Sequence, residues 1–203
     1  MSDSPTDAPD VTERLLTIFG RLFESEFVTL ERFALSCRTP VGMRYLDEAD
    51  ALALMLGEGE PGVPREPADP AAHTLHRTMY AAWPDMHAVV SGPSRHLRAL
   101  LAEGCELPEP TSMMRKRGVT RLADHLVETG ALAGPRVAAT LASARETATA
   151  NGMTHVLILE QDGTVHVAGR LAEEAMAHYS NVEFSARVAC VRIEEAFVAG
   201  LEG

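Results

Sequence analysis

Cysteine is scarce in this chain, which has only Cys37, Cys105 and Cys190 among its 203 residues. The three lie far apart, form no Cys-x-x-Cys pair and are odd in number. Such usage supports neither a disulfide framework nor a thiolate metal site. It is typical of proteins in the reducing cytosol, so we expect a cytoplasmic location.

Positively charged residues are also few. Lysine and arginine number 18 against 29 aspartates and glutamates, which gives a formal net charge of −11 and a pI near 5.1. Nucleic acids and anionic membranes bind proteins through a basic face. No apolar run approaches the roughly 20 residues that span a bilayer. We therefore expect neither nucleic acid nor membrane as a partner, which leaves a small-molecule ligand possible.

The first ten residues are rich in Ser, Asp and Pro and contain no apolar core. We expect residues 1–10 to form a disordered tail rather than a signal peptide. The chain is 46% hydrophobic, which suits one compact domain that buries about 70% of its unfolded surface. Residues 11–203 are therefore predicted to form a single domain.

Periodicity and turn residues predict a mixture of helices and strands. Helices are predicted from residue 12 to 23, around 75–82, up to residue 102, and over 120–130, 135–152 and 171–197. Strands are predicted within 27–38 and at 87–90, 154–159 and 164–168, and a surface loop at 57–70. The Asp162-Gly163 pair is a hairpin turn signal between the last two strands. This pattern alone indicates only a mixed α and β fold.

Ser91-Gly92-Pro93-Ser94 is the most informative stretch of the chain, because the residues around it lead one to expect a metal-binding His-x-His and the histidines are absent. It directly follows the strand predicted at 87–90. Pro93 lacks an N–H and restricts the residue before it, so we expect the backbone to turn there. The flanking residues form a recognisable frame. It comprises His76, Tyr80, Pro84-Asp85, Ala88–Val90, Ser94, Ala99, Gly104 and Leu107-Pro108.

This frame resembles the class II aldolase/adducin family, whose members include fuculose-phosphate aldolase and ribulose-phosphate 4-epimerase. Two further blocks match the family pattern in the same order. They are Thr39–Gly42 with Glu48–Leu52, and Leu157–Gly163 with Gly169, Leu171–Ala175, Val182-Glu183 and Ala186. The resemblance implies an α/β fold, a three-layer α/β/α sandwich with a mostly antiparallel central sheet. It also implies a homo-oligomer, dimer or tetramer, with sites at subunit boundaries.

The sequence departs from the family at the metal site. The resemblance implies a zinc ion held by a His-x-His pair and by a later His before Gly, and those positions here are Ser91, Pro93 and Asp162. Proline offers no ligand atom, and a hydroxyl is a poor zinc ligand beside imidazole. The family's catalytic Glu falls near Ala72 and its phosphate-binding Gly-Asn near Glu26-Phe27. We therefore expect no metal and no cofactor, and we expect the zinc-dependent retro-aldol mechanism to be lost.

His73 and His76 are spaced i, i+3 on a predicted helix and can face one metal ion. No third ligand at suitable spacing is apparent, and His76 matches a family position that is usually not a ligand. Ser91 with a nearby histidine is a candidate nucleophile, although Ser-Gly-Pro-Ser is also a good turn sequence. Asp162 is first a turn residue and otherwise a candidate general base.

Arg115-Lys116-Arg117 is the only basic cluster in this acidic chain. It lies in the loop that family members extend toward a neighbouring active site, so it is suited to attract a carboxylate or phosphate. A solvated charged loop is the alternative. His166 alternates with Val165 and Val167, so it points away from their face, where exposure to solvent is the simple expectation.

The candidate catalytic residues are therefore His73, Ser91 and Asp162. The candidate substrate-binding residues are His76, Ser94, Arg95, Arg115 and Arg117. Two functions remain open for this set. One is a metal-independent lyase, isomerase or cyclising enzyme that acts on a small polar or carbonyl substrate. The other is a binding or structural protein on the same scaffold, as in the adducin head domain.

Overall fold

The computed structural model describes residues 11–24, 32–40, 42–56, 67 and 69–201. The predicted tail at 1–10, the strand-like piece at 27–30, the position of Glu26-Phe27 and most of the predicted loop at 57–70 lie outside the described residues. The bounds of the regular elements follow.

The helices are α1 (Val11–Glu24), α2 (Glu48–Met55), α3 (Pro70–Ala82), α4 (Arg95–Ala102), α5 (Ser112–Lys116), α6 (Val137–Ala150) and α7 (Ala172–Leu201). The strands are β1 (Ala34–Thr39), β2 (Gly42–Asp47), β3 (Ala88–Pro93), β4 (Leu126–Val127), β5 (Val156–Glu160) and β6 (Thr164–Gly169). No helix in these described ranges is both long and apolar enough to cross a bilayer.

The six strands form one mixed sheet in the order β2-β1-β3-β6-β5-β4. The edge strand β4 pairs in parallel with β5, and the other neighbours pair antiparallel. The predicted α/β fold with flanking helices is confirmed. The expectation of a mostly antiparallel sheet is corrected to a mixed sheet, because the chain crosses over through α6 between β4 and β5 and so brings them together in the same direction.

Two local predictions were wrong. The helix expected over 120–130 is a 3-10 turn at Leu122–His125 followed by β4, because Leu126 and Val127 add to the edge of β5. The backbone does not turn at Ser91–Pro93 either. Strand β3 continues through Pro93, which pairs with Thr164; as the last residue of the strand, it can lack an N–H without breaking the ladder.

Helices cover both faces of the sheet. On one face α3 contacts β1 and α6, and α6 contacts β5; on the other, α7 contacts β3, β6, α1 and α4. Adjacent residues of β3 separate the two faces. The Ser91 hydroxyl contacts His76 of α3, whereas a Cβ at Gly92 would meet Tyr179 of α7. The α3 face is the one that carries a buried polar network.

Helix α3 positions one side of that network. Asp69 caps the helix by accepting hydrogen bonds from the N–H groups of Ala71 and Ala72, and Pro70 occupies the first turn, where its missing N–H costs nothing. The helix buries His76, Met79 and Tyr80 on one stripe. Two polar side chains are thus brought against the sheet.

Candidate functional site

A buried chain of hydrogen bonds runs across the α3 face of the sheet. Ser36 Oγ lies 2.8 Å from His76 Nδ1, and His76 Nε2 lies 2.8 Å from Ser91 Oγ. Ser91 Oγ in turn lies 2.8 Å from His166 Nδ1, and His166 Nε2 lies 2.6 Å from Glu160 Oε1. We call these five side chains the serine–histidine relay.

The strand register explains why these groups meet. Ser91 of β3 is the direct cross-strand partner of His166 of β6, and Ser36 of β1 lies on the same face as Ser91. Ile158 pairs with His166 across the next ladder, so Glu160, two residues further along β5, lies diagonal to His166 on that face. Four of the five relay members are therefore placed by strand pairing, and α3 supplies the fifth.

Burial keeps the His76 ring neutral. Its side chain is fully buried, and burial, together with the nearby His166 and His73, lowers its pKa from 6.5 to about 3. The Tyr80 hydroxyl donates to the backbone oxygen of Ser36 at 2.9 Å and lies 3.0 Å from Ser36 Oγ. Burial raises the pKa of Tyr80 well above its ordinary value, so this phenol is protonated as well.

One set of proton positions satisfies every contact in the relay. A Glu160 carboxylate only accepts, so His166 Nε2 donates to it; in a ring that carries this one proton, Nδ1 accepts. Ser91 then donates its hydroxyl proton to His166 Nδ1. The Ser91 oxygen accepts from His76 Nε2–H, and His76 Nδ1 accepts from the Ser36 hydroxyl. In this arrangement His166 is a base aimed at Ser91, and Glu160 orients that base.

The relay borders a cavity of about 200 Å³. His76, Ser91, Glu160 and His166 all line it, and Arg32 brings a positive charge to its wall. Arg32 is the one non-glycine residue with positive φ in the described ranges, at 61°. A larger cleft of about 880 Å³ shares Gly130 and Ala133 with this cavity. We place the candidate site at the smaller cavity, because that is where the hydrogen-bonded acid–base groups lie.

The structure brings together two of the predicted site residues, Ser91 and His76. His73 lies one turn earlier on α3 and packs edge-on against the ring of Tyr45, with ring centroids 5.0 Å apart. Ser94 caps α4 and donates to Glu183 of α7, so its hydroxyl bonds to the helix on the other face. A catalytic or binding role for His73 and Ser94 stays a prediction.

The remaining predicted residues lie at the surface. Asp162 is exposed in the hairpin turn, where its carboxylate accepts from the N–H of Thr164 at 2.9 Å. Arg95 is exposed at the start of α4. Arg115 donates to the carbonyl oxygen of Pro110, and Arg117 lies 3.5 Å from His178. None of these four side chains lines the cavity beside Ser91, and their roles also stay predictions.

The residues at the inferred zinc positions do not fit a zinc ion. Pro93 has no ligand atom, and Asp162 is held in its turn by Thr164. The Ser91 hydroxyl is already hydrogen-bonded to two imidazoles. Ala72, at the position inferred for the family's catalytic Glu, lines the cavity with a methyl group. Ser91, Pro93 and Asp162 themselves supply no imidazole, the ligand that a zinc site of this type uses.

The family profile described as "Class II Aldolase and Adducin N-terminal domain" matches residues 31–190. The chain belongs to the class II aldolase/adducin family. Four of the five relay residues belong to strands of the matched region, and the fifth, His76, belongs to a helix within it. No curated protein sequence matches the chain.

Solved structures share this fold at low sequence identity. YgbL from Escherichia coli is 19% identical over 89% of this chain and 88% of its own, with a TM-score of 0.57. The L-fuculose-1-phosphate aldolase from Thermus thermophilus is 15% identical over 92% and 96%, with a TM-score of 0.59. The L-fuculose 1-phosphate aldolase from Glaciozyma antarctica PI12 is 16% identical over 93% and 78%, also at 0.59.

Sequence reasoning missed three relay members, Ser36, Glu160 and His166. His166 is not exposed but buried, at 5% exposure, because α3 covers the strand face to which it points. The hairpin contained a sequence signal for Glu160 and His166. An Asp-Gly turn at 162–163 puts Glu160 and His166 on one face of two adjacent strands, within side-chain reach.

Proposed function

We propose that this protein is a diverged class II aldolase-like enzyme that transfers a proton on a small polar or carbonyl substrate without a metal ion at the Ser91 site. A lyase, isomerase or cyclisation reaction fits this chemistry. The observation that carries the proposal is the Ser91–His166–Glu160 relay at the wall of a cavity. Family membership supports a small-molecule enzyme, and the metal independence is inferred from the donor set.

The proposed step is removal of a proton from the carbon next to a carbonyl group. Ser91 Oγ takes the substrate proton as it passes its own proton to His166 Nδ1, so the serine ends as a neutral hydroxyl. The C–H electron pair moves to the carbonyl oxygen to give an enolate. The imidazolium formed at His166 is stabilised by Glu160, 2.6 Å away.

Groups around the cavity are placed to balance the negative charge of the enolate. Arg32 lines the cavity and supplies a positive charge, and the hydroxyl of Thr164, another lining residue, is a hydrogen-bond donor. Donors that are already oriented toward a developing oxyanion stabilise it more strongly than water does. Asp69 also lines the cavity, but it is held as the cap of α3.

The experiment is hydrogen–deuterium exchange at carbon in a panel of small hydroxyketones, hydroxyaldehydes and keto acids. Proton NMR in D₂O detects loss of the C–H signal whether or not a product forms. We expect exchange by the wild-type protein on at least one substrate class, with the rate unchanged by a chelator. Ser91→Ala and His166→Gln are each expected to slow that exchange by about 10²–10⁴-fold.

His87→Gln is the matched control, since His87 is an exposed histidine just before β3 and lies outside the relay. Its exchange rate should equal that of the wild type. An unchanged rate in Ser91→Ala would refute the relay, and a rate abolished by chelator would refute the metal independence. Absence of exchange on every substrate would favour the second candidate, a binding or structural role of the kind known for adducin.

A further inference from the structure

A second cluster of histidines lies on the α7 face of the sheet. His155 immediately precedes β5, and Glu174 and His178 lie one turn apart on α7. Each of the three offers a ligand atom, and these atoms all lie within 4.8 Å of one another. Both histidines are fully buried. The segment that precedes β5 and helix α7 therefore pack together at this cluster.

The histidines of this cluster have polar atoms that no protein group satisfies. Both ring nitrogens of His155 and Nδ1 of His178 are buried without a hydrogen-bond partner. Burying such an atom without a partner destabilises the folded state, and groups of this kind are rare in native proteins. The two rings lie face to face, with centroids 3.5 Å apart. Stacking fills the space but leaves these nitrogens unpaired.

The surroundings hold both rings in the neutral form that binds metals. Burial, with the charge of His178 next, lowers the pKa of His155 to about 3. Burial and then Arg117 lower the pKa of His178 to about 4. Glu174 is partly buried, and it accepts hydrogen bonds from the Thr154 hydroxyl at 2.6 Å and from the Arg170 N–H at 3.0 Å.

We propose that His155, Glu174 and His178 bind a divalent transition-metal ion, with Zn²⁺ as the best match. Two imidazoles and one carboxylate form a ligand set that zinc uses in proteins, with a further position open to water. The site shares no residue with the Ser91, Pro93 and Asp162 positions or with the relay. It would fasten α7 to the start of β5.

Binding requires two small rearrangements. The stacked rings must turn so that one nitrogen of each points to a common centre together with Glu174. Arg117 lies 3.5 Å from His178 Nε2, so His178 is best placed to use Nδ1, its unpaired nitrogen. Nε2 then carries the ring proton, and the exposed Arg117 is released toward solvent. Thr154 and the Arg170 N–H remain available to orient the carboxylate.

The test is a titration of chelator-stripped protein with Zn²⁺, followed by calorimetry and by thermal unfolding. We expect one zinc ion per chain and a rise in Tm on binding. His155→Phe and His178→Phe keep the aromatic packing but remove the ligand atoms. Each should weaken zinc binding by at least about tenfold, while the zinc-free protein keeps or raises its Tm because unpaired nitrogens are removed.

Two controls separate this site from other zinc-binding positions. His87→Gln removes an exposed surface histidine, and His166→Gln removes a relay histidine; both should bind zinc as the wild type does. The proposal is overturned if the wild type binds no stoichiometric zinc or if the phenylalanine variants bind it equally well. Loss of binding in His166→Gln would move the metal to the relay and would also refute the assignment. These readouts need no substrate, so they are independent of the proposed enzymatic activity.

Discussion

Gly92 separates the relay face from the α7 face within a single strand. A Cβ built at this residue would lie 2.8 Å from Cδ2 of Phe33 and 3.0 Å from the hydroxyl oxygen of Tyr179. That hydroxyl donates to the carbonyl oxygen of Pro93 at 3.0 Å. The missing side chain therefore allows α7 to pack closely against β3, on the face opposite Ser91.

Replacing Gly92 with alanine tests this close approach. We expect Gly92→Ala to lower the free energy of unfolding by about 1–3 kcal/mol, because overpacking forces Phe33 or Tyr179 out of place. Urea unfolding measures the change. Gly20→Ala is the matched control. Gly20 lies within α1 with no heavy atom within 4 Å of the added Cβ, so that variant should be more stable by about 0.5–1 kcal/mol.

Helix α7 is longer than the surface it covers. Its first half buries one stripe against the sheet, formed by Ala175, Tyr179, Val182 and Ala186. The same stripe continues at helical spacing to Ile193 and Phe197, which are 47% and 68% exposed. Exposed apolar residues that prolong a buried stripe mark an interaction surface. A second copy of the chain is the partner that the predicted homo-oligomer would supply.

We expect the wild-type protein to be a dimer or larger and Phe197→Lys to reduce the mass of the assembly. A charged side chain at the centre of an apolar contact leaves an uncompensated buried charge. Size-exclusion chromatography with light scattering measures both masses. Glu195→Lys changes charge on the same exposed half of the helix and should leave the mass unaltered. A monomeric wild type, or an unaltered Phe197→Lys assembly, would contradict this use of α7.

Buried neutral histidines couple the stability of the whole molecule to pH. Burial lowers the pKa of His76 and His155 to about 3 and of His178 to about 4, from 6.5 in an exposed histidine. In the unfolded chain these rings take up protons as the pH falls below 6.5, whereas in the folded protein they do not. The unfolded state therefore binds more protons, and stability decreases as the pH falls through this window.

We expect the free energy of unfolding, measured in chelator, to decrease from pH 7 toward pH 5 by up to about 1.4 kcal/mol per pH unit for each such histidine. Urea denaturation at closely spaced pH values gives the slope. The double variant His155→Phe and His178→Phe removes two of the three histidines with the largest downward pKa shifts, so its slope should be clearly smaller. An equal slope in the two proteins would show that these rings are not the cause.

The predictability of the site differs from residue to residue. Ser91 and His76 were found because they lie in a recognisable frame of the sequence. Ser94 belongs to the same frame, yet its hydroxyl bonds to Glu183 of α7, since Ser94 follows the end of β3 and caps the next helix. His166 and Glu160 were not selected, because a strand pattern gives the face of a residue without saying which helix covers that face.

The amino-acid sequence by itself determined the family and the α/β fold, and it predicts that the zinc ligands implied by the resemblance are absent. Ligand atoms are properties of side chains, and Pro93 has none in any fold. Only the tertiary structure decided which groups surround Ser91. His166 lies 75 residues away in the chain, and it reaches Ser91 because β3 and β6 pair in one particular register. The same holds for His155 and His178, whose unpaired nitrogens arise only when α7 closes over the sheet.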